Sequence, residues 1–252
     1  MFEKKNKSED TTWLSLSDMM TVLMVLFLIL AIYIAVSANK KLNEVTQVIS
    51  AFIDNENKLC QKLKDELYVE FNPNDLTVTC EPIRITFINE KYKFDHNSHI
   101  LTKEFEQTLS KFFPIYLSVI DQWNFTDASG EKVDLSTLID EVRIEGHTDS
   151  AGSKKFDDND KYLFNMTLSQ KRSKAVLNHV FRKITVLREK NQWMRDKLTA
   201  NGLSYSRRLN TNKEPLDYND PTQTEDKKAS RRIEIKLRTK AREIIKELRE
   251  RY

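Results

Sequence analysis

The longest apolar stretch of the chain runs from Met19 to Ala38, twenty residues without a charged side chain. A helix rises ~1.5 Å per residue, so this stretch spans about 30 Å, the thickness of the hydrocarbon core of a bilayer. Trp13 precedes the stretch and Tyr33 lies near its far end, where amphipathic rings favour the membrane interfaces. The pattern predicts one transmembrane helix over residues 13–38.

A cleaved signal peptide is the alternative interpretation of this stretch, because Val36-Ser37-Ala38 resembles a cleavage site with small residues. The apolar run is longer than the ~7–15 residues of a signal sequence, which favours an anchor. Three lysines precede the span and two follow it closely. This slight asymmetry predicts that residues 1–12 form a cytoplasmic tail and that the C-terminal part lies on the other side of the membrane.

Asp18 is the acidic residue that adjoins the apolar run, and Thr21 lies on the same helix face at i+3. Two interpretations remain open. Asp18 caps the start of the membrane helix from the headgroup region, or it lies about one turn inside a helix that begins near Trp13. A carboxylate inside the membrane is costly and is usually functional.

Apolar residues at a spacing of three to four continue after the span, in a segment without Gly or Pro from Lys40 to Phe71. The seam comprises Leu42, Val45, Ile49, Phe52, Leu59 and Leu63. This spacing predicts a coiled-coil-like linker over residues 39–80 that pairs with a second, parallel copy of the chain. A helix packed on its own C-terminal domain is the alternative.

Two cysteines, Cys60 and Cys80, flank the end of this segment. They are too few for a zinc site or a disulfide-dense scaffold. An intramolecular bridge, an intermolecular bridge at Cys60, and two free thiols all remain open, because connectivity cannot be deduced from sequence.

Residues 81–238 show the mixed periodicities of an α+β unit. Apolar alternation predicts strands near residues 83–87, 142–144, 198–203 and 233–237. Helical spacing predicts one helix over residues 101–117 and another that starts near Thr167. Residues 206–230 form a polar loop in this prediction, and residues 239–252 form a charged helix. The predicted fold class is a single transmembrane helix plus an α+β domain, with a mixed βαβαβ-type sheet and helices packed on it.

The charge balance limits the possible functions. Lys and Arg number 41 against 38 Asp and Glu, a net charge of +3, and both signs are interspersed. No nucleic-acid partner is therefore predicted. Four glycines exclude Gly-rich phosphate loops. Two of them, Gly146 and Gly152, fall in one turn, which predicts positive φ or a close backbone approach there.

No catalytic constellation survives inspection. His147, Asp149 and Ser150 include the residue types of a hydrolase triad, but neighbours in one turn cannot easily reach the required geometry. A second group, Asp95, His96 and His99, includes residue types that bind metals. No other His lies near this group in sequence, so exposed polar positions explain it better than a metal site does. We therefore predict no enzyme activity, no metal and no cofactor.

Three blocks of the α+β unit closely resemble the signature blocks of OmpA-like peptidoglycan-binding domains. They are Ile144–Asp149 (IEGHTD), Asn165–Arg172 (NMTLSQKR) and Arg231–Ile235 (RRIEI), and Phe94-Asp95 resembles the early strand-to-helix junction of that family. The resemblance covers about residues 81–238. It departs from the family at the rim of the pocket: the segment after the first block is longer, Ser230 replaces an Asn, and a Gly-rich turn near Leu209 is absent.

The N-terminal segment resembles the membrane helix of MotB-type stator subunits. The matching residues are Trp13–Thr21 (WLSLSDMMT) followed by Leu23–Leu28 (LMVLFL). A membrane helix, a helical linker and an OmpA-like domain in one chain form the MotB architecture. The Ser-Asp-Met-Met-Thr sequence and the extended loops are more similar to ZorB-type subunits of Zorya anti-phage systems than to flagellar MotB.

This resemblance implies a wall-tethered stator subunit of a proton-driven motor, anchored in the inner membrane with its C-terminal domain in the periplasm. Asp18, with Thr21, would accept the proton, and Asp149 and Arg172 would bind the diaminopimelate moiety of peptidoglycan. Arg232 is the implied supporting residue, and Arg231 is a weaker one. Thr148 and Asn165 are also implied to belong to the binding site. The implied partners are a multi-helix subunit of the MotA/ZorA type and a second copy of this chain. A flagellar motor subunit and a simple anchored or secreted wall-binding protein remain the alternatives.

Overall fold

A computed structural model describes the chain at residues 6–95, 97–126, 132–152, 155–217 and 219–240. These residues form two units, one that ends at Ala51 and a globular one that begins at Phe52. The charged helix predicted over residues 239–252 lies, from residue 241 onward, outside the described residues, and so does His96.

Helix α1 extends over Asn6–Glu70. Its segment Ser17–Asn43 is long and apolar enough to cross a membrane, and its most apolar window has no buried residue. A large apolar surface that the protein leaves uncovered is typical of a membrane or interaction surface. Among the described residues this is the single candidate for a membrane span, in agreement with the prediction.

The last turns of α1 belong to the globular unit. Leu59, Leu63 and Leu67 are at most 2% exposed and pack in its core. Leu59 and Leu63 of the predicted seam therefore pack in the core of the same chain, as the alternative interpretation expected. The globular unit also begins earlier than the predicted boundary at residue 81. In the first half of the seam Leu42 is exposed, and the side chains of the other positions lie outside the described residues.

Cys60 and Cys80 form a disulfide, with their Cα atoms 5.6 Å apart. Of the three alternatives, the structure contains the intramolecular bridge. The bond joins α1 to β1 (Leu76–Cys80), a strand that the sequence analysis did not predict. Disulfides persist in oxidising compartments, so the bond fits a position outside the cytoplasm.

Strand pairing produces one five-stranded mixed sheet and a separate hairpin. The strands are β1 (Leu76–Cys80), β2 (Ile83–Phe87), β3 (Asn124–Thr126), β4 (Lys132–Asp134), β5 (Ile139–His147), β6 (Leu198–Gly202) and β7 (Arg232–Thr239). The sheet order is β1-β2-β7-β5-β6, and β3 pairs with β4. Only β5 and β6 are parallel within the described sheet; the other pairs are antiparallel. The predicted mixed sheet is thereby confirmed.

The helices of the globular unit are α2 (Lys103–Asp121), α3 (Asp158–Lys183), α4 (Asn191–Lys197) and α5 (Lys227–Ser230). The side chain of Thr102 caps α2 by accepting a hydrogen bond from the Phe105 N–H. Apolar residues of α2, of the last turns of α1 and of one face of the sheet form a single core. The other sheet face is polar, because each strand alternates between the two faces.

Helix α3 begins nine residues before the predicted start at Thr167. Asp157 caps it by accepting a hydrogen bond from the Asp160 N–H at 2.7 Å. Its first two turns are largely exposed, so they lack the apolar periodicity on which the prediction depended. The capping aspartate was the sequence signal for the true start.

Candidate functional site

The turn that follows β5 is held against α3 by close backbone packing. A Cβ atom at Gly146 would lie 2.3 Å from the carbonyl oxygen of Ser169, and one at Gly202 would lie 2.3 Å from the Gln170 nitrogen. Of the two predicted reasons for glycine at position 146, close approach is the one observed. This contact places the Asn165–Arg172 segment of α3 next to the turn.

Asp149 lies in this turn and is 5% exposed. One carboxylate oxygen accepts a hydrogen bond from the Ala151 N–H at 3.0 Å, and the other accepts one from Nη1 of Arg231 at 2.5 Å. Arg231, and not Arg232, contacts Asp149, while the ranking of the two arginines as supporting residues stays a prediction. An ion pair between Asp149 and Arg172 is absent from the described contacts.

Arg172 is 4% exposed and projects from α3 toward the loop after β2. Its Nε donates to the Ser98 carbonyl at 2.9 Å, and its Nη2 donates to the Asp95 carbonyl at 3.2 Å. The guanidinium also lies over the Phe94 ring, 5.1 Å from its centre. Among the residues that the structure describes, no carboxylate lies within 4 Å of Arg172. The fold thus orients this cation without neutralising it.

Burial, and to a smaller extent the charge of Arg231, lowers the pKa of Arg172 from 12.5 to about 10. The guanidinium remains charged at neutral pH but is poorly solvated. An anion that reached it would regain much of the lost electrostatic stabilisation. Arg172 lines a small cleft together with Phe94, His147, Arg231 and Arg232.

Arg232 differs from Arg172, although both are buried. Its Nε donates to Glu234 at 2.6 Å, and its Nη1 donates to the Ser230 carbonyl at 3.1 Å. Burial alone would raise the pKa of Glu234, but contact with His147 and Arg232 outweighs burial and holds the pKa below its ordinary value. Arg232 therefore lines the cleft, but the carboxylate of Glu234 balances its charge.

The two remaining predicted residues shape the turn. The Asn165 amide donates to the carbonyls of Ala151 and Lys161, both at 3.0 Å, and so ties the turn to α3. The Thr148 N–H donates to the Ser204 carbonyl at 2.9 Å. The Thr148 hydroxyl is buried and has no hydrogen-bond partner among the described residues.

Glu145, His147 and Glu234 form a buried cluster, which we call the Glu-His-Glu cluster; their potential ligand atoms lie within 4.8 Å of one another. Burial lowers the pKa of His147 despite the two carboxylates. Both carboxylates already face guanidinium groups, at 3.6 Å for Arg143 and 3.3 Å for Arg84. A divalent cation would add positive charge to a site that arginines have neutralised, so the donor set does not fit a metal.

The rejected triad is also absent from the geometry. The Ser150 hydroxyl donates to a carboxylate oxygen of Glu225, and the Ser150 N–H donates to the other at 3.1 Å. The imidazole of His147 instead faces the carboxylates of Glu145 and Glu234. Ser150 and His147 therefore do not form a nucleophile and base pair.

In the N-terminal unit, Asp18 lies twelve residues after the first residue of α1, about three turns inside the helix. It therefore does not cap α1. The Thr21 hydroxyl donates to the backbone carbonyls of Asp18 at 2.8 Å and Ser17 at 3.1 Å. The Asp18 side chain is exposed, at the start of the apolar segment.

No protein-family profile matches the chain. Zorya protein ZorB of Escherichia coli strain Crooks is 28% identical over 247 residues, which cover 96% of each chain. The chain resembles ZorB along almost its whole length. Zorya protein ZorB of Escherichia coli O139:H28 is 26% identical over 239 residues, 93% of this chain and 82% of the relative. The predicted resemblance to ZorB-type subunits is thereby confirmed.

Solved structures also show a partial likeness. A MotB-like protein from Desulfovibrio vulgaris is 17% identical with a TM-score of 0.46, covering 77% of this chain and 95% of that protein. The periplasmic domain of Helicobacter pylori MotB is 12% identical with a TM-score of 0.42, covering 68% and 92%. These similarities concern the fold and add nothing about ligands.

Proposed function

We propose that the chain is a membrane-anchored stator-type subunit of a Zorya-like defence complex, tethered to the cell wall by its globular unit. The similarity to ZorB over 96% of the chain supports the stator role. The uncovered apolar segment Ser17–Asn43 supports anchoring. In this proposal residues 1–12 are cytoplasmic, the globular unit is periplasmic, and two copies associate with a multi-helix subunit of the MotA/ZorA type. In this proposal the complex moves protons, and this chain has no enzyme activity.

The buried, uncompensated Arg172 is the observation that supports wall binding. Diaminopimelate carries an ammonium and a carboxylate on the same carbon, so it needs a cation and an anion close together. The Arg172 guanidinium can hold the carboxylate in a bidentate fork. Asp149 uses one acceptor position on each oxygen, and a carboxylate has about four, so it can also accept from the ammonium.

Pull-down on purified sacculi with the detergent-solubilised full chain tests this binding. We expect Arg172→Ala and Asp149→Ala each to lower retention at least tenfold, because each removes one charge-assisted contact in a desolvated cleft. Arg195→Ala is the matched control, since Arg195 is exposed on α4. Folded Arg172→Ala and Asp149→Ala variants that are retained like the wild type would refute the binding assignment.

We assign the proton-carrying role to Asp18. A low-dielectric environment disfavours the charged form of a carboxylate, so a proton can bind and leave there. Loss of the charge changes how a helix sits among partner helices. The Thr21 hydroxyl lies next to Asp18 on the helix, because it donates a hydrogen bond to the Asp18 backbone carbonyl.

A further inference from the structure

The sheet face opposite the core is lined with polar side chains from every strand. On β5 the side chains of Glu141, Arg143, Glu145 and His147 point to this face, as do the even-numbered residues of β7, whereas Ile139, before a shift in register, lies in the core. Other members of this face come from β1 and β2, namely Thr77, Thr79, Arg84 and Thr86.

An open groove runs over this face, between the sheet and the loop after β6. The loop side contributes Arg207 and Lys213, and α5 contributes Lys228. The groove shares Lys93 and Arg231 with the cleft around Arg172, so the two are continuous. The groove has a volume of about 850 Å³, whereas the cleft has about 10 Å³, room for about one water molecule. The groove can therefore hold a ligand of several residues, and the cleft marks the contact point for one charged group.

The groove is strongly cationic although the whole chain is nearly neutral. Ten Lys and Arg residues line it against four Asp and Glu. Several of these cations are already paired, such as Arg84 with Glu234. Within the described part of the chain, four have no carboxylate within 4 Å: Arg207, Lys213, Lys228 and Lys236. These four cations are available to a ligand that carries several negative charges.

We propose that the groove binds the acidic stem peptide of the wall polymer, with the charged end of its diaminopimelate side chain at the Arg172 cleft; this inference rests on the proposed function. The stem peptide carries carboxylates beyond those of diaminopimelate, and the available cations match them. The threonine hydroxyls on the sheet face suit peptide groups. Nucleic acid fits less well, because Phe87, the aromatic residue among those lining the groove, is 1% exposed and offers no stacking surface.

The test compares two four-fold variants of the full chain in detergent. The groove variant carries Arg207→Gln, Lys213→Gln, Lys228→Gln and Lys236→Gln. The matched control removes the same charges from exposed residues outside the groove: Arg195→Gln, Lys103→Gln, Lys174→Gln and Lys183→Gln. The probes are free diaminopimelate, a disaccharide muropeptide, and the same muropeptide with its carboxyl groups converted to carboxamides.

We expect the groove variant to bind the muropeptide about tenfold more weakly than the wild type and with a weaker salt dependence, because four screened charge contacts are lost. The control variant should bind like the wild type. Both variants should bind diaminopimelate like the wild type, since its residues are untouched. The amidated muropeptide should bind the wild type and the groove variant equally.

Unchanged muropeptide affinity in the groove variant, with diaminopimelate binding intact, would overturn the groove assignment alone. A wild type that binds neither diaminopimelate nor muropeptide would overturn the proposed function as well. Loss of RNA or anionic-vesicle binding in the groove variant, without loss of muropeptide affinity, would also overturn the inference.

Discussion

The apolar segment of α1 and the globular unit differ in whether their charged side chains have partners of opposite charge. In α1, Asp18 is an acid that directly precedes the uncharged stretch Met19–Ala38. In the globular unit the buried acids have partners: Glu234 contacts Arg232, Asp149 contacts Arg231, and Glu56 contacts Thr239. There the exception is a cation, Arg172, which two carbonyl groups and the Phe94 ring orient without a carboxylate within 4 Å among the described residues.

This difference separates structural charges from functional ones. A buried charge that its own fold neutralises contributes to stability when its partner is present and costs stability when the partner is removed. A charge that the fold leaves without an opposite partner must be compensated by something outside the chain. Asp18 and the buried Arg172 are therefore two places where the protein is expected to exchange charge with a proton or a ligand.

The largest expected effect is at Asp18. Asp18→Asn keeps the volume and hydrogen-bonding capacity of the side chain but cannot gain or lose a proton near neutral pH. We expect proton flux and phage protection to fall to background, with membrane insertion and sacculus retention unchanged. Co-expression with the partner subunit, followed by phage plating and a proton-uptake assay in proteoliposomes, measures this.

Asp54→Asn is the matched control, because Asp54 lies on the same helix in an exposed pair with Lys58. That change should leave protection intact. Full protection by Asp18→Asn would break the comparison, leaving an anchored wall-binding protein in which Asp18 carries no proton.

A smaller effect is expected at a compensated charge. Glu234→Gln leaves Arg232 buried without its carboxylate, so the globular unit should lose about 3 kcal/mol of unfolding free energy. Glu90→Gln, at a pair with Lys93 in which the Glu90 side chain is 63% exposed, should cost less than about 1 kcal/mol. Denaturant unfolding followed by tryptophan fluorescence measures both; equal losses would show that burial of the pair has no energetic consequence.

The same variant should alter the response to acid. The folded-state pKa values of Glu234 and His147 lie below their ordinary values of 4.5 and 6.5. The unfolded chain therefore binds more protons as the pH falls, and stability decreases, first below about 6.5 and then below about 4.5. Glu234→Gln should reduce the second decrease, to which the lowered pKa values of Asp75 and Glu141 also contribute, and keep the first.

The smallest effect on stability is expected at Arg172. Arg172→Gln loses two hydrogen bonds and the contact with Phe94, but it also removes a desolvated charge without a carboxylate, so the net change should stay within about 1 kcal/mol. Arg232→Gln should cost about 3 kcal/mol by comparison. The same unfolding assay checks both variants, and a large loss at Arg172 would assign it a structural role.

Periodicity predicted the elements that cover the core, but not which partner each apolar stripe packs against. Leu59 and Leu63 have the same spacing whether they face a second copy or their own sheet. Strand β1 was missed because its Leu-Thr-Val-Thr-Cys alternation follows directly on the turn that ends α1. Helical and strand periods are local, whereas the choice of packing partner is not.

The resemblance placed Asp149, Arg172 and Asn165 in one region, and the structure brings them together around the turn after β5. It did not show that Arg231 contacts Asp149, because 82 residues separate them and the adjacent Arg232 has the same chemistry. The polar sheet face had a sequence signal that was overlooked: charged residues alternate with apolar ones along both β5 and β7. Read together, the two strands predict that face.

The disulfide between Cys60 and Cys80 has a mechanical consequence. Tension that arrives along α1 can pass through this bond into β1, so the intervening residues 61–79 carry none of it. Force then enters the sheet by a covalent route at its edge strand, and the packing of Leu63 and Leu67 is spared the load. Reduction of the bond would return those residues to the path of any such tension and lengthen the covalent route from α1 to β1.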